Sequence, residues 1–244
     1  MISESSYKKP QIAIIGWGNV ATHLATAFQD KAEIYMVDSR KPENFPAEID
    51  TALICVKDDV IAEVASKISG KAKIVAHTSG SVDIKALEGS ASHTGVLYPL
   101  QTFTKDIALD YSEIPFFIEG SDNYALEKLT GLASLISKKI KTCDSEKRRH
   151  LHLASVFACN FSNLLLIKAN EILSQTGFEK EDILPLVRMT LKKFEESDPL
   201  LAQTGPAKRK DFKVMQRHLE MLEKDPDKQK IYEILSKSIM NLNR

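Results

Sequence analysis

Short apolar runs alternate with amphipathic segments through the first half of the chain. Continuous apolarity over four to six residues is typical of strands buried on both faces of a parallel sheet. Four such runs predict strands at residues 11–15, 33–37, 51–56 and 73–76, and two shorter runs predict strands at 95–97 and 116–118. Apolar residues at helical spacing lie between or after them, at residues 19–29, 60–68 and 123–137. This alternation predicts an α/β fold with a doubly wound parallel sheet, and residues 139–143 are a candidate edge strand.

The pattern changes after residue 143, where strand signals stop. Residues 145–175 read as one long helix without an internal Pro or Gly, and Gly177 follows at a position typical of a helix C-terminus. Three more helices are predicted at 180–196, 206–222 and 227–242. We therefore expect an α/β domain at 1–143 and an all-helical domain at 144–244.

The long helix carries a broad apolar face that about seventy other residues of a helical domain would not cover. We expect this face to pack on the first domain, on a twofold partner, or on both. A homodimer formed through the helical domain is favoured over a monomer.

Composition excludes several classes of protein. Of 244 residues, 43% are hydrophobic and 27% charged, which is ordinary for a globular protein. Lys and Arg total 33, and Asp and Glu also total 33, so the basic excess typical of nucleic-acid-binding proteins is missing. The three cysteines are far apart and form no ligand cluster, so reduced thiols and no metal are expected. With no apolar signal region and no run of about 18 apolar residues, a cytoplasmic protein without membrane contact is predicted.

A glycine-rich segment follows the first predicted strand directly and opens the first helix. Gly16 permits a tight turn, Gly18 permits close approach of a pyrophosphate, and Ala21 takes the third small position. The helix N-terminus offers free N–H groups to the phosphates. The alternative is a glycine turn in an α/β protein that binds no nucleotide. The predicted pyrophosphate-binding residues are Gly16, Trp17, Gly18, Asn19 and Val20.

The end of the second strand bears on the choice of cofactor. Asp38 lies at the expected spacing for hydrogen bonding to a ribose 2′-hydroxyl, which favours NAD. Ser39 and Arg40 form a pair suited to a 2′-phosphate, which favours NADP. We favour NADP over NAD, and the alternative is that Arg40 is a solvated loop charge.

Loops after other strands should reach the same cleft, because ligands bind beyond the carboxyl ends of parallel strands. Val56, Lys57 and Thr78 are therefore candidate cofactor-binding residues. Ser79, in the sequence His-Thr-Ser-Gly-Ser, is a candidate site residue near a nicotinamide, although a plain polar turn is the alternative. Tyr98 is equally suited to a role in core packing and to a role in the ligand site.

Polar residues interrupt the apolar faces of the predicted helices. His152 and Asn160 are eight residues apart and fall within about 80° on one helix face. A histidine there can act as a general acid near neutral pH. Arg209, at a Gly-Pro helix start, suits a substrate carboxylate or phosphate. The alternatives are neighbouring helices that satisfy His152 and Asn160, and a solvated basic face around Arg209.

These features together resemble a known group. The segments GWGNVA, KDDVI, HTSGS, YPLQTF and TGPAKRKD followed by His218 resemble the Rossmann-like NADP oxidoreductases with a helical C-terminal domain of unknown function. That group is related to pyrroline-5-carboxylate reductase, ketopantoate reductase and deazaflavin-dependent NADP reductases, in the 6-phosphogluconate-dehydrogenase-like clan. The resemblance covers nearly the whole chain and implies hydride transfer between NADP and a small carbonyl, imine or alcohol in a cleft between the domains.

The sequence departs from the pattern of these relatives at three positions. Tyr98 stands where the relatives commonly have His, and Lys210 where they commonly have Gly. Several dehydrogenases of the clan have a catalytic Lys four residues before an Asn, where this chain has Val156. The missing lysine favours, as an alternative to an enzyme, a dinucleotide-binding sensor without turnover. An interaction protein without nucleotide is a further alternative, because the bulky indole of Trp17 in the glycine loop would block the site.

Overall fold

Seven strands form one sheet in the first part of the chain. The structure is a computed structural model that describes residues 9–46 and 49–242. The strands are β1 Gln11–Ile15, β2 Glu33–Val37, β3 Ile49–Ile54, β4 Ala72–His77, β5 His93–Pro99, β6 Phe116–Gly120 and β7 Ile140–Thr142. Their order is β2-β1-β3-β4-β5-β6-β7. All neighbouring pairs are parallel except β5 with β6, which are antiparallel. The predicted doubly wound α/β sheet is therefore confirmed, with one antiparallel pair that the sequence did not indicate.

Alternate residues of the central strands face opposite sides of the sheet, and each side is covered by helices. Ile12 and Ile14 belong to the apolar cluster that includes residues of α1 (Asn19–Phe28) and α3 (Asn123–Ser134). Ala13 and Ile15 belong to the cluster that includes residues of α2 (Ile61–Lys67). Because both faces of β1 are buried, its sequence is continuously apolar, as the pattern predicted.

Helices make up the rest of the chain. They are α4 Ser145–Ser155, α5 Ser162–Leu173, α6 Lys180–Glu196, α7 Pro199–Ala202, α8 Pro206–Arg209, α9 Phe212–Met221 and α10 Pro226–Asn241. A π-helical segment, Val156–Phe161, stands between α4 and α5. The predicted single helix at 145–175 is thus helical from Ser145 to Leu173, two residues shorter than expected, and is interrupted by a wider turn. α6 has the predicted bounds, with Pro185 inside it.

The predicted helix at 206–222 was wrong as a continuous element. α8 ends at Arg209, and Lys210 has a φ of 55°, in the left-handed region. Asp211 then accepts a hydrogen bond from the backbone N–H of Val214 and caps α9. A left-handed residue followed by an N-cap ends one helix and begins another, so the chain turns here although its apolar spacing is helical.

Two compact units make up the chain, one ending at Asn160 and the other beginning at Phe161. The sequence analysis placed the domain boundary at residue 143. The observed division lies later in the chain, inside the helical run. α4 belongs with the sheet because Arg148, which is fully buried, forms an ion pair with Glu119 of β6. The guanidinium of Arg148 also donates to the backbone carbonyl of Val82. These bonds fix the start of the helical run to the first unit.

The run Ser145–Leu173 is, by length and composition alone, long and apolar enough to cross a membrane. The sequence analysis did not identify a stretch of this kind. Core helices of soluble proteins can have the same length and composition but are mostly buried, whereas none of the apolar window of this run is buried. In the second unit, Ala207 and Ser236 are the buried side chains among the described residues, and many large apolar side chains of that unit are exposed.

Candidate functional site

The glycine turn after β1 is shaped by a close approach between two backbones. Gly16 has a φ of 124°, and a Cβ atom there would lie 2.3 Å from the carbonyl oxygen of Cys55. Its N–H donates to the carbonyl of Val37 at 2.9 Å. Only glycine fits this conformation and this space, so the prediction that Gly16 permits the tight turn is explained physically.

The turn leads into the N-terminus of α1, which no side chain caps. Gly18 is the N-cap residue, and a Cβ built on it would meet nothing within 4 Å. No acidic residue lies in the first helical turn. An uncapped helix N-terminus facing open space presents backbone N–H groups and the positive end of the helix dipole. This arrangement suits an anion such as a pyrophosphate.

A cleft of about 500 Å³ opens at this turn, at the carboxyl ends of β1, β3 and β4. It contains nine of the ten residues predicted to bind the cofactor. Those that line it are Gly16, Trp17, Gly18, Asn19, Val20, Ser39, Val56, Lys57 and Thr78. A glycine turn, an uncapped helix N-terminus and strand-end loops meet in this cleft, an arrangement that suits a dinucleotide.

Arg40, the tenth predicted residue, does not line the cleft. Its guanidinium donates from Nε and Nη2 to the carboxylate of Asp38, with Nη2 to Oδ2 at 2.7 Å. The backbone N–H of Arg40 also donates to Asp38 Oδ1, at 2.9 Å. These hydrogen bonds from Arg40 lower the pKa of Asp38 from 3.8 to about 2. Asp38 is therefore a carboxylate whose two oxygens already accept from Arg40.

The loop after β5 is tied to α1 by two polar side chains. Asn19 donates from Nδ2 to the carbonyl of Phe103 at 2.8 Å. His23, which is buried, lies 2.9 Å from the hydroxyl of Tyr111 and 2.9 Å from the carbonyl of Thr104. The sequence analysis did not single out His23, and its spacing in an otherwise apolar helix face was the available signal.

A second cavity, of about 350 Å³, lies at the end of β5 and beside α4. His152 and Asn160 both line it, so the two helix residues predicted to share a face do meet at one cavity. Asn160 reaches it from the π-helical segment, a kind of turn that often occurs at functional sites. Tyr98 lines the same cavity, and its hydroxyl is 3.1 Å from His152 Nδ1.

The loop after β4 is a tight hydrogen-bonded turn. The hydroxyl of Ser79 accepts from the backbone N–H groups of Ser81 and Val82, each at 3.1 Å. The N–H of Ser79 donates to His77 Nδ1 at 3.1 Å. Ser79 lines neither of the two cavities described above. In this structure its hydroxyl holds the loop, which was the alternative that the sequence left open, and its role in the reaction stays a prediction.

His77 itself is buried at the end of β4. Burial, and secondarily the positive charge of nearby Arg148, lowers its pKa from 6.5 to about 4. Its Nδ1 accepts a hydrogen bond, so the ring is neutral and carries its proton on Nε2. The neutral ring fixes the start of the loop through the N–H of Ser79.

Arg209 lies in the second unit, at the last turn of α8, and its side chain is exposed. Lys210, next to it, is the one non-glycine residue with positive φ among the described residues. A left-handed conformation at this position explains why glycine is the residue expected there from the resemblance. The hydroxyl of Tyr232 lies 2.8 Å from Nδ1 of His218, so within this unit the histidine joins α9 to α10.

Comparisons with known proteins agree with this description. Residues 114–239 match the family described as Domain of unknown function (DUF2520). A protein of Bacteroides fragilis, provisionally named an NADP oxidoreductase, is 36% identical, with a TM-score of 0.87 over 96% of this chain and 98% of that one. A comparison with curated proteins gives no match.

More distant structures share the fold. A protein of Thermotoga maritima is 20% identical, with a TM-score of 0.68 over 95% of this chain and 97% of that one. The pyrroline carboxylate reductase of Plasmodium falciparum, solved with NADP bound, is 13% identical, with a TM-score of 0.58 over 97% of this chain and 99% of that one. The resemblance stated from the motifs is confirmed at the level of fold and family.

Proposed function

The chain belongs to the DUF2520 family, and we propose that it is an NADP-dependent oxidoreductase acting on a small carbonyl, imine or alcohol. The observation that carries this proposal is the cleft at the glycine turn, where Gly16, Gly18 and the free N-terminus of α1 form an anion-binding cradle at the strand ends. The name of the Bacteroides fragilis protein supports the same assignment. Bound NADP would supply the hydride chemistry, and the protein would supply position and charge.

The turn residues Gly16 to Val20 would hold the pyrophosphate through backbone N–H groups, with Gly18 leaving room for it. Ser39 would contact the adenosine ribose. Val56, Lys57 and Thr78 line the cleft farther along the strand ends and would contact the nicotinamide half of the cofactor.

The pairing of Asp38 with Arg40 supports NADP over NAD. Binding of NAD at this position uses a free carboxylate to accept from the ribose hydroxyls. Both oxygens of Asp38 instead accept from Arg40. The guanidinium compensates the carboxylate charge, which reduces its repulsion of a 2′-phosphate, and Arg40 is exposed enough to turn toward that phosphate.

His152 and Asn160 would orient the substrate and move a proton, because both line the cavity at the end of β5. Arg209 lies in the second unit, and its predicted role in holding an acidic group of a ligand stays a prediction. Ser79 would act near the nicotinamide if its hydroxyl exchanged its present bonds to Ser81 and Val82.

A dinucleotide-binding sensor without turnover is the second candidate, and one observation favours it. Val156 lines the cavity with Asn160, so the position where clan dehydrogenases carry a lysine here holds an aliphatic side chain. A sensor would bind NADPH tightly and show no oxidation of it with any carbonyl or imine.

A homodimer is part of the proposal. The exposed apolar side chains of the helical unit exceed what an isolated surface normally shows, and a second copy related by a twofold axis covers such a surface on both chains. Sedimentation velocity would test it, with a single dimeric species expected. A monomer, or a protein recovered only with membranes, would contradict the homodimer. The cytoplasmic location stays a prediction.

The test of the function is a fluorescence titration with NADPH and then NADH. Trp17 is the single tryptophan and lines the cleft, so its emission reports on occupancy. Saturable quenching with preference for NADPH is expected. Gly18→Ala should leave stability unchanged, since its φ of −73° suits alanine and its surroundings are open, yet weaken NADPH binding at least about tenfold by blocking the pyrophosphate.

The matched control is Gly131→Ala, because Gly131 in α3 also has open space around it and lies outside the cleft. It should bind NADPH like the wild type. Equal response of the wild type to both cofactors would move the assignment to NAD. No response to either, confirmed by calorimetry, would overturn the proposed function.

A further inference from the structure

Tyr98 is a buried tyrosine whose hydroxyl is turned toward a cavity. The side chain stands near the end of β5 and is 8% exposed. Its Oη lies 3.1 Å from His152 Nδ1, and the two rings pack edge to face with centroids 6.1 Å apart. Tyr98, His152 and Asn160 line the cavity together, and the remaining wall includes apolar side chains such as Leu100 and Val156. A largely apolar cavity with a few convergent polar groups is typical of a small-ligand site.

The backbone around the pair is adapted to it. A Cβ atom at Gly80 would lie 2.7 Å from His152 Nδ1 and 2.8 Å from Tyr98 Cζ. A side chain there would therefore separate the two rings or displace them. Gly80 lies in the loop after β4, so three separate parts of the first unit converge on the Tyr98–His152 hydrogen bond. Ordinary core packing of a tyrosine does not require this convergence.

The electrostatic surroundings suit proton donation. Burial raises the pKa of Tyr98, and the positive charge of Arg148 opposes that rise. The phenol therefore keeps its proton at neutral pH, while a fixed cation lies near enough to stabilise the phenolate formed when the proton leaves. Arg148 is fully buried and held by Glu119 and Val82, so this charge does not move during a reaction.

We propose that Tyr98 is the catalytic proton donor to the carbonyl oxygen or imine nitrogen of the substrate, and that His152 relays a proton to it. The inference rests on the proposed function and identifies a residue that function did not assign.

The step balances as follows in the direction of reduction. Bound NADPH would supply a hydride to the substrate carbon, and the π electron pair would move to the substrate heteroatom. That atom takes the proton from Tyr98 Oη, so the O–H bond breaks and a new O–H or N–H bond forms. The phenolate then takes the proton from His152 Nδ1, and the partly exposed imidazole regains one at Nε2 from water.

The experiment has a readout that does not depend on turnover. Cyclohexanone labelled with ¹³C at its carbonyl, or 1-pyrroline, is bound to the full-length protein with NADP⁺, which cannot reduce it. The C=O or C=N stretch is measured by isotope-edited infrared or Raman spectroscopy. A hydrogen bond from Tyr98 should move the bound band to lower wavenumber, and Tyr98→Phe should abolish that shift while binding weakens less than about tenfold.

Turnover is measured in parallel by NADPH absorbance with the same two probes. In Tyr98→Phe, kcat should fall about 100-fold or more with KM little changed, because the lost interaction acts in the transition state. His152→Gln should shift the pH dependence of kcat, which a purely structural residue would not do. The matched control is Tyr111→Phe, because Tyr111 also pairs with a histidine, His23, but lines neither cavity.

The outcomes separate the two proposals. If the wild type reduces a probe and Tyr98→Phe retains both the turnover and the band shift, the role of Tyr98 is overturned while the proposed function stands. If the wild type shows the band shift, Tyr98→Phe loses it, and neither reduces a probe, the hydrogen-bonding role stands and the oxidoreductase function fails. No shifted band with either probe in the wild type overturns the role of Tyr98.

Discussion

Breaking the buried ion pair between Arg148 and Glu119 should strongly destabilise the first unit. Arg148 is fully buried and Glu119 is 13% exposed. In Arg148→Met the carboxylate keeps only its two donors from Ser145, the N–H at 3.0 Å and the hydroxyl, and the carbonyl of Val82 loses its guanidinium donor. Removal of one partner from a buried pair costs about 3–5 kcal/mol, because the other charge is left uncompensated.

A double variant measures the interaction between Arg148 and Glu119 separately from the effect of each single substitution. In Arg148→Met with Glu119→Gln no charge remains, so the penalty of an unpaired buried ion disappears. The double variant should therefore be more stable than Arg148→Met alone. The coupling free energy between the two positions should reach about 1–3 kcal/mol, as expected for residues in direct contact.

Urea unfolding followed by Trp17 fluorescence is the assay, because Trp17 belongs to the first unit. With a slope of about 2 kcal/mol per molar urea, the loss lowers the unfolding midpoint by about 1.5–2.5 M. Arg149→Met is the matched control. Arg149 is the next residue and pairs with Asp83 at the surface, with side chains 45% and 39% exposed, so its loss should cost less than about 1 kcal/mol. Equal effects of the two arginine substitutions, or additive losses in the double variant, would refute the reasoning.

Three further predictions concern the cofactor cleft and its supports. Arg40→Ala should weaken NADPH binding about tenfold or more and should not weaken NADH binding, because the freed Asp38 carboxylate can accept from the ribose hydroxyls. Lys41→Ala should change neither, and equal losses of both cofactors in calorimetry would contradict the role of Arg40. The pKa of His77 is about 4, below its ordinary 6.5. The neutral ring's contribution to the free energy of unfolding, about 3 kcal/mol, is therefore fully present above pH 6.5 and is lost as the pH falls through 4. Urea midpoints across this range should show a flatter slope for His77→Asn than for the wild type or for His150→Gln. Burial raises the pKa of Cys55 to about 12, so mass spectrometry should find it alkylated by iodoacetamide only after unfolding, and modification in the native protein would contradict this.

The glycine turn after β1 was predictable because its determinants are local. Both faces of β1 carry apolar residues, so its five consecutive residues are enough to predict a strand. Gly16 and Gly18 lie within three residues of its end. The close approach of Gly16 to Cys55 is itself a nonlocal contact. The class of turns that requires this approach nevertheless has a short sequence motif with glycines at fixed positions. The residues predicted to bind the cofactor therefore line one cleft in the structure, with Arg40 the exception.

Contacts between residues far apart in sequence were not predictable. Glu119 and Arg148 are 29 positions apart, and nothing in either local pattern indicates the other, although a charged residue in the apolar strand β6 was a signal. That contact ties α4 to the strand β6 within the first unit. The pairing of Tyr98 with His152, 54 positions apart, likewise appears only when β5 and α4 are packed together.

Helix interruptions were missed for a different reason. The π-helical segment Val156–Phe161 and the left-handed Lys210 do not change the apolar spacing enough to be seen in it. Lysine is an ordinary helix former, so at position 210 its local preference opposes the observed backbone, and tertiary context decides.

Lys210 also limits the routes by which this sequence can change. A non-glycine residue in the left-handed region costs about 1–2 kcal/mol, and glycine would recover most of that, less about 0.4–1 kcal/mol for its greater freedom in the unfolded chain. In the genetic code, however, a lysine codon reaches glycine only through more than one base change, and the arginine or glutamate passed on the way keeps the strain. Asparagine, which tolerates this conformation better than most residues, is a single base change away, so selection for stability at this turn has asparagine as its first accessible step.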